Sequence, residues 1–485
     1  MSHGRAVVGG ATVLVGSQAL VTLVQVGTGA VTARLLAPSA FGAFAAAMAI
    51  TGILGVILTS ATATAVLREP ELSDAQVWKL WLTAAIQGLL GATVTFLAAS
   101  AWARLYHSPD AEPMVRWLAI QVGCAPLAIT SAALLRRERR AGADALTQAG
   151  SVILGLLVGV AAVWVWRYQD VLVVSPITAS IALLVGTVVL RRRRYPVTRP
   201  DRAWSVRRPN TQIVLQNVYF FVLAAVPLWL VSRVGDAHEL GLFSRASAIP
   251  TLVVSAASVG LVRSVQPYYR SVAPESRGAA LRDLVVMTGA VGIPVMALVA
   301  ACAHPLIQVW LGASWLGGAP YVPLVAAGAA AYLMFTLLAN AAETLSMLSE
   351  VRFAQVAMLP ALLVVAGVAF ASSSPMVASA TTLVVALPGL VTLVLVLERR
   401  GMGDLGQLPR RLLVQATLGL VIGLIGWGIA RATEPLGPWW SLILSGSTAA
   451  ALFVVTLPFR PEWRVLKSRG LVPRRSAGAA HEVHP

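Results

Sequence analysis

Charge is what this sequence has least of. Its 485 residues are 12% Asp, Glu, Lys and Arg and 57% hydrophobic, with a mean hydropathy of +0.77, whereas soluble globular proteins carry about 25% charged and about 45 to 50% apolar residues. Half the usual charge cannot cover a water-facing surface, so a soluble enzyme is excluded. Lysine is almost missing: Lys79 and Lys467 are the two, and the other 35 of the 37 cations are arginine. Cysteine is as scarce. Cys124 and Cys302 lie in separate apolar runs and can build neither a disulfide framework nor a metal motif. No Ser/His/Asp set, phosphate-binding loop or zinc spacing occurs in the chain, so no catalytic residues, metal or other cofactor are expected. Long polar loops are missing too. The longest, about Arg191 to Asn210, is basic and contains proline, too short for a folded domain, so function must reside within a membrane or at its faces.

What the sequence has instead is apolar runs of about 20 residues, the length that crosses a bilayer core of about 30 Å as a helix. Fourteen spans are predicted, near Val7 to Ala33, Ala40 to Leu67, Leu80 to Ala103, Met114 to Leu135, Ala145 to Trp166, Val171 to Leu190, Ile213 to Ser232, Leu240 to Val262, Leu284 to Ala303, Ala319 to Ala342, Phe353 to Ala371, Met376 to Leu397, Leu412 to Ala430 and Trp439 to Leu457. The first run is longer than the core of a secretory signal and reads as a retained span. An even count puts both termini on one side.

The formal net charge of +17 would suggest nucleic acid in a soluble protein. In a membrane protein the side on which cations sit is the useful quantity. With the N-terminus cytoplasmic, 30 of the 37 cations fall in inner segments, alternating loop by loop; the outer seven are Arg34, Arg104, Arg116, Arg167, Arg233, Arg245 and Arg431. That asymmetry supports the span count and a plasma-membrane protein with both termini cytoplasmic, and no nucleic-acid partner is expected. Ten of the fourteen tryptophans, among them Trp102, Trp117, Trp310, Trp315, Trp439 and Trp440, fall near the outer ends, as an interfacial aromatic belt would.

An internal repeat is present. A shift of 199 residues lays Arg34 to Ile50 over Arg233 to Ile249 with six identities in 17 positions, including Arg34 on Arg233, Gly42 on Gly241 and Phe44 on Phe243, and sets Gln18 over Asn217. Six spans per half leave the halves in the same orientation, related by an axis along the membrane normal, as in several transporter folds. The expected architecture is therefore all-α and polytopic: a pseudo-symmetric lobe of spans one to six with its basic linker (1–209), a second lobe of spans seven to twelve (210–405), two appended helices (406–458) and a basic cytoplasmic tail (459–485).

Four segments carry a family resemblance. Ala33-Arg-Leu-Leu-Ala-Pro-Ser-Ala-Phe-Gly-Ala-Phe44, Ala133-Leu-Leu-Arg-Arg-Glu-Arg139, Leu240-Gly-Leu-Phe-Ser-Arg-Ala246 and Pro305-Leu-Ile-Gln-Val-Trp-Leu-Gly-Ala-Ser-Trp315 together resemble the polysaccharide flippases of the MOP superfamily, in order over about residues 5 to 430. The resemblance implies two six-helix lobes of MATE type that open alternately to each face of a bacterial plasma membrane. It implies outward movement of an undecaprenyl-pyrophosphate-linked oligosaccharide for cell-surface polysaccharide synthesis, O-antigen or teichoic acid among the products. Membrane lipids, and a polysaccharide polymerase or glycosyltransferases, would be the partners. Many members have an Asp about six positions before the residue matching Arg233; here that position is Pro227, which puts ion coupling through that carboxylate in doubt.

A pyrophosphate headgroup needs cations or donors in a hydrated cleft. Arg245, four residues past Gly241 and so about 6 Å into its helix, is the leading candidate, because an intramembrane charge is costly and usually functional; the competing reading is a side chain that snorkels to the outer interface. Gln18, Thr22 and Gln25 share one face of span one, and span seven carries Gln216, Asn217 and Tyr219. The resemblance places both spans along the central cleft, which favours cavity lining over interhelical hydrogen bonding. Glu343, with Asn340 one turn earlier, is the most deeply placed carboxylate and a candidate for ion coupling, although its position near the cytoplasmic end favours a salt bridge to Arg352 or Arg263. Arg116 beside Trp117 reads as an outer anchor, and Asp110 and Glu112, between Pro109 and Pro113, as a solvated turn.

The rival functions are a cation-coupled multidrug antiporter or a lipid II flippase of the same superfamily, and a membrane-embedded glycosyltransferase or polymerase. The antiporter needs a mid-membrane carboxylate in spans one to six, and the polymerase a large acidic outer loop; neither is present in the sequence.

Overall fold

The computed structural model describes residues 2–68, 72–138, 141–190, 211–402 and 407–456, and every regular element among them is helical. The helices are α1 (Ser2–Leu35), α2 (Pro38–Arg68), α3 (Asp74–Leu105), α4 (Ala111–Arg137), α5 (Ala141–Trp166), α6 (Val174–Leu190), α7 (Thr211–Val234) and α8 (Ala237–Ser271). They continue as α9 (Arg277–Ala301), α10 (Ala303–Trp310), α11 (Tyr321–Thr344), α12 (Leu348–Ser372), α13 (Pro375–Ser379), α14 (Thr381–Arg399), α15 (Leu408–Ala432) and α16 (Pro438–Thr456). The linker 191–209 and the tail 459–485 lie outside the described residues.

All-helical structure follows from the medium. Hydrocarbon offers no partner to a backbone N–H or C=O, and a helix satisfies both within one segment. Among the described residues eleven segments are long and apolar enough to cross a membrane, and the three other expected spans coincide with the helices α1, α7 and α8. Spans six and twelve are each interrupted: a 3-10 turn over Gln169–Val173 precedes α6, and Ala380 separates α13 from α14. Between spans nine and ten the chain forms α10 and a 3-10 turn over Ala313–Gly318. Polar ends are closed locally. Ser73 caps α3 in a reciprocal box, its Oγ accepting from the Gln76 N–H while Gln76 Oε1 accepts from the Ser73 N–H, the pattern that a Ser-x-x-Gln sequence favours.

Two compact units form. The first comprises Met1–Gly260, Ile307–Gly328 and Leu359–Val385, the second Leu261–Leu306, Ala329–Met358 and Ala386–Pro485. In the first, α4 packs against α2, α3 and α6, and α5 against α1 and α6. Apolar burial does not hold helices together in lipid, so close approach at small residues must. Gly88 of α3 crosses Gly123 of α4 where any Cβ on Gly88 would overlap the Gly123 carbonyl, and Gly155 and Gly159 of α5 admit Ser175 of α6 in the same way. In the second unit, α9, α15 and α16 pack together. Gln415 Nε2 donates to the Val286 carbonyl at 2.9 Å, Ser441 Oγ to the Ala430 carbonyl at 2.8 Å, and Gly419 lies against Ile293.

The repeat is expressed as a contact. A Cβ on Gly42 would overlap the carbonyl oxygen of Ala237, and one on Gly241 would overlap that of Pro38. With the shift of 199 residues, Gly42 corresponds to Gly241 and Pro38 to Ala237. The helices α2 and α8 therefore cross at their first turns, each glycine receiving the start of the other helix.

Candidate functional site

Around this crossing, segments far apart in sequence converge, all within the first unit. Arg34 Nη2, at the end of α1, donates to the Val309 carbonyl at 3.0 Å, Trp310 Nε1 to the Val26 carbonyl at 2.7 Å and Trp315 Nε1 to the Ala33 carbonyl at 2.9 Å. The short α10 exists to make these contacts. It carries Trp310 onto Gly29, and Gly312, at φ 105°, turns the chain so that Trp315 comes back to α1; a positive φ there favours glycine. Trp315 is buried and meets Phe41 edge to face at 5.2 Å. Leu242 of α8 lies against Gly317 and Gly318. Three of the four sequence motifs, 33–44, 240–246 and 305–315, thus form one assembly.

Arg245 sits in it. Its Cζ lies 4.1 Å from the centroid of the Phe41 ring, close enough for a cation–π contact. The side chain is half-buried, and among the described residues it has neither a carboxylate within ion-pair distance nor a hydrogen-bond partner. A guanidinium has five N–H donors. Among the described residues they meet no protein acceptor, while the Phe41 ring, itself packed against Trp315, covers one side of the plane.

The polar face of α1 leads away from the same assembly. Thr32 is buried and Gly29 lies under Trp310, after which Gln25, Thr22 and Gln18 follow along one face, each half-buried. The threonine hydroxyls are spent on their own helix: Thr22 Oγ1 donates to the Gln18 carbonyl at 2.9 Å and Thr28 Oγ1 to that of Val24 at 2.7 Å. The amides of Gln18 and Gln25 have no partner among the described residues. A primary amide in hydrocarbon without a hydrogen bond costs free energy, so these groups point to a hydrated or ligand-filled space. The sequence reading missed a second stripe. Ser244, Ser247, Thr251 and Ser255 recur along one face of α8, and each hydroxyl donates to its own helix, at 2.8 Å from Ser244 and 2.7 Å from the other three. The spacing i, i+3, i+7, i+11 was the available signal. The side chains of Gln216 and Asn217 lie outside the described residues, and Tyr219 is half-buried.

A family described as "Polysaccharide biosynthesis protein" matches residues 31–320, which include all four motif segments entire. The chain belongs to this family. Its fold is similar to that of the lipid II flippase MurJ in an inward-closed conformation, which superposes with a TM-score of 0.67 at 11% identity, over 94% of this chain and 99% of that one. An outward-facing MATE-family multidrug resistance transporter of the MOP superfamily gives 0.49 at 14% identity over 82% and 96%. A MOP transporter from Pyrococcus furiosus gives 0.49 at 13% over 82% and 95%. No curated protein matches in sequence.

Several carboxylates of this family member are paired with neighbouring side chains. Buried Asp144 meets Arg136 Nε at 3.4 Å and Gln148 Nε2 at 2.9 Å. Buried Glu350 meets Arg400 Nε at 3.0 Å, and Glu112 meets Arg116 Nη2 at 2.6 Å. Glu239 accepts from the Tyr321 hydroxyl. Asn340 Nδ2 donates within its own helix, to the Thr336 carbonyl at 2.8 Å, and half-buried Glu343 follows one turn on. Among the described residues no three His, Cys, Asp or Glu side chains gather to hold a metal ion.

Proposed function

We propose that the chain is a flippase that moves a polyprenyl-pyrophosphate-linked oligosaccharide from the cytoplasmic to the outer face of a bacterial plasma membrane, for cell-surface polysaccharide synthesis, by alternating access and without chemistry. The carrying observation is Arg245: an arginine stacked on Phe41, without a carboxylate partner among the described residues, where three motif segments meet. An anionic pyrophosphate is what such a group lacks. Gln18, Thr22 and Gln25, with Gln216, Asn217 and Tyr219 across the repeat and the hydroxyl stripe of α8, would line the path of the sugars, while the polyprenyl tail stays in lipid. The distribution of cations supports cytoplasmic termini, and a polymerase or glycosyltransferases would supply and consume the substrate. No mid-membrane carboxylate of spans one to six supports cation-coupled drug antiport, and Asn340 and Glu343 would serve at most a subsidiary ion-linked role.

The likeness to MurJ makes lipid II the second substrate to test. In cells lacking the gene, the lipid-linked oligosaccharide is expected to accumulate on the cytoplasmic leaflet. Complementation with Arg245→Ala is expected to cut export at least about tenfold, since a hydrogen-bonded charge contributes about 1.5 to 3 kcal/mol, and Arg245→Lys to restore part of it. Accumulation of lipid II instead would assign the other substrate, and full export by Arg245→Ala would remove Arg245 from the site.

A further inference from the structure

A groove opens between α3 and α4, apart from the site: none of its lining residues belongs to α1, α7 or α8. It lies beside the Gly88–Gly123 crossing. The residues of α3 and α4 beside that contact leave a volume of about 740 Å³, within the usual range of ligand pockets. Small residues, Ala92, Ala119 and Gly123, form its floor, and the large exposed side chains of Phe96, Trp117 and Ile120 its walls. Both helices are apolar enough to span a membrane, so the groove faces hydrocarbon.

One ionised side chain lines it, Arg116. Its Cζ lies 5.7 Å from the centroid of the Phe96 ring, and one Nη donates to Glu112 Oε1, which also accepts from Ser100 Oγ at 3.0 Å. Glu112, tied to α3 through Ser100, therefore holds the guanidinium at the groove's mouth with donors to spare. Seven residues separate Arg116 from Gly123, about 10 Å of helix, against about 15 Å for the hydrocarbon of one leaflet, half of about 30 Å. That length suits an acyl chain running straight down one leaflet and is too short for a long polyprenyl chain.

We propose that this groove is a specific site for an anionic glycerophospholipid, one acyl chain lying over Ala92 and Gly123 and its phosphate on Arg116. The site is independent of the substrate path. The test uses the full chain in nanodiscs containing a trace of phosphatidylglycerol with a photoreactive diazirine in its acyl chain. Cross-links are mapped by mass spectrometry, and unlabelled lipids compete. Cross-linking is expected to concentrate on 92–97 and 116–124, to fall about tenfold or more in Arg116→Gln, to persist in Arg116→Lys, and to be competed by phosphatidylglycerol but not by phosphatidylethanolamine. Thr93→Trp, which fills the groove from its exposed side and leaves Arg116 in place, is expected to abolish it. Even labelling of all lipid-facing helices, unchanged in Arg116→Gln and Thr93→Trp, would show annular lipid and overturn the proposal. So would equal competition by phosphatidylethanolamine, or stronger competition by undecaprenyl phosphate.

Discussion

An arginine against an aromatic ring keeps one face of its plane occupied and its N–H edge available, which a lysine cannot copy. Phe41 therefore matters to Arg245 as much as the charge does. In Phe41→Leu the apolar bulk stays and the ring quadrupole goes; with a cation–π contact of about 0.5 to 2 kcal/mol, export is expected to fall about two- to thirtyfold, measured as initial rate in proteoliposomes, with folding checked by size-exclusion. Trp315 has the opposite balance. It is buried, hydrogen-bonded to Ala33 and packed on Phe41, so Trp315→Ala opens a cavity of the kind that costs about 3 to 5 kcal/mol, and a clear fall in the melting temperature of the detergent-solubilised protein is expected. At this scale the sequence was partly legible. Arg245, Gln18 and Gln25 stood out because polar groups are rare in apolar runs. The ring under Arg245 did not, since Phe41 joins it only through the fold, and the serine stripe of α8 was hidden because serine is unremarkable in any single position.

Among the elements, the α2–α8 crossing is the most exacting. Each glycine is filled by the backbone of the other helix, which cannot move aside as a side chain can. Gly42→Val and Gly241→Val are each expected to hold the two helices apart and to reduce export at least about tenfold, read as rate per inserted protein; a wild-type rate in either would show that the crossing is dispensable. The spans themselves were legible, because a helix in lipid needs only a long enough apolar run. α10 was not. Its eight residues are too short for a span, and what fixes them is the docking of Trp310 and Trp315 on α1, a tertiary cause that periodicity does not carry. The turn over Gln169–Val173 and the break at Ala380 escaped because each falls at or near the start of a run read as one span.

For the whole molecule, the sparse charge that opens the sequence becomes an energetic statement about transport. Moving one elementary charge through 100 mV is worth about 2.3 kcal/mol, so a pyrophosphate of about two negative charges moving outward, with the interior negative, gains about 4 to 5 kcal/mol. If the proposed function holds, then without a coupling carboxylate at Pro227 transport is expected to slow when an ionophore collapses the membrane potential and to be indifferent to a proton or sodium gradient imposed at zero potential. A rate that follows the cation gradient would reverse this reading.

The reciprocal glycine contact has one more consequence. A chain of half this length would carry both sides of the contact on a single surface and could close it with a second copy of itself, the geometry of an isologous dimer. Such a dimer must place every residue twice. The repeat partner of Arg245 is Ala46, and that of Phe41 is Leu240; a symmetric ancestor with the arginine would have set two like charges beside its axis, where mutual repulsion opposes closure. Joining the copies in one polypeptide frees the two sides to differ, so that Arg245 stacks on Phe41 while its repeat position carries the uncharged Ala46.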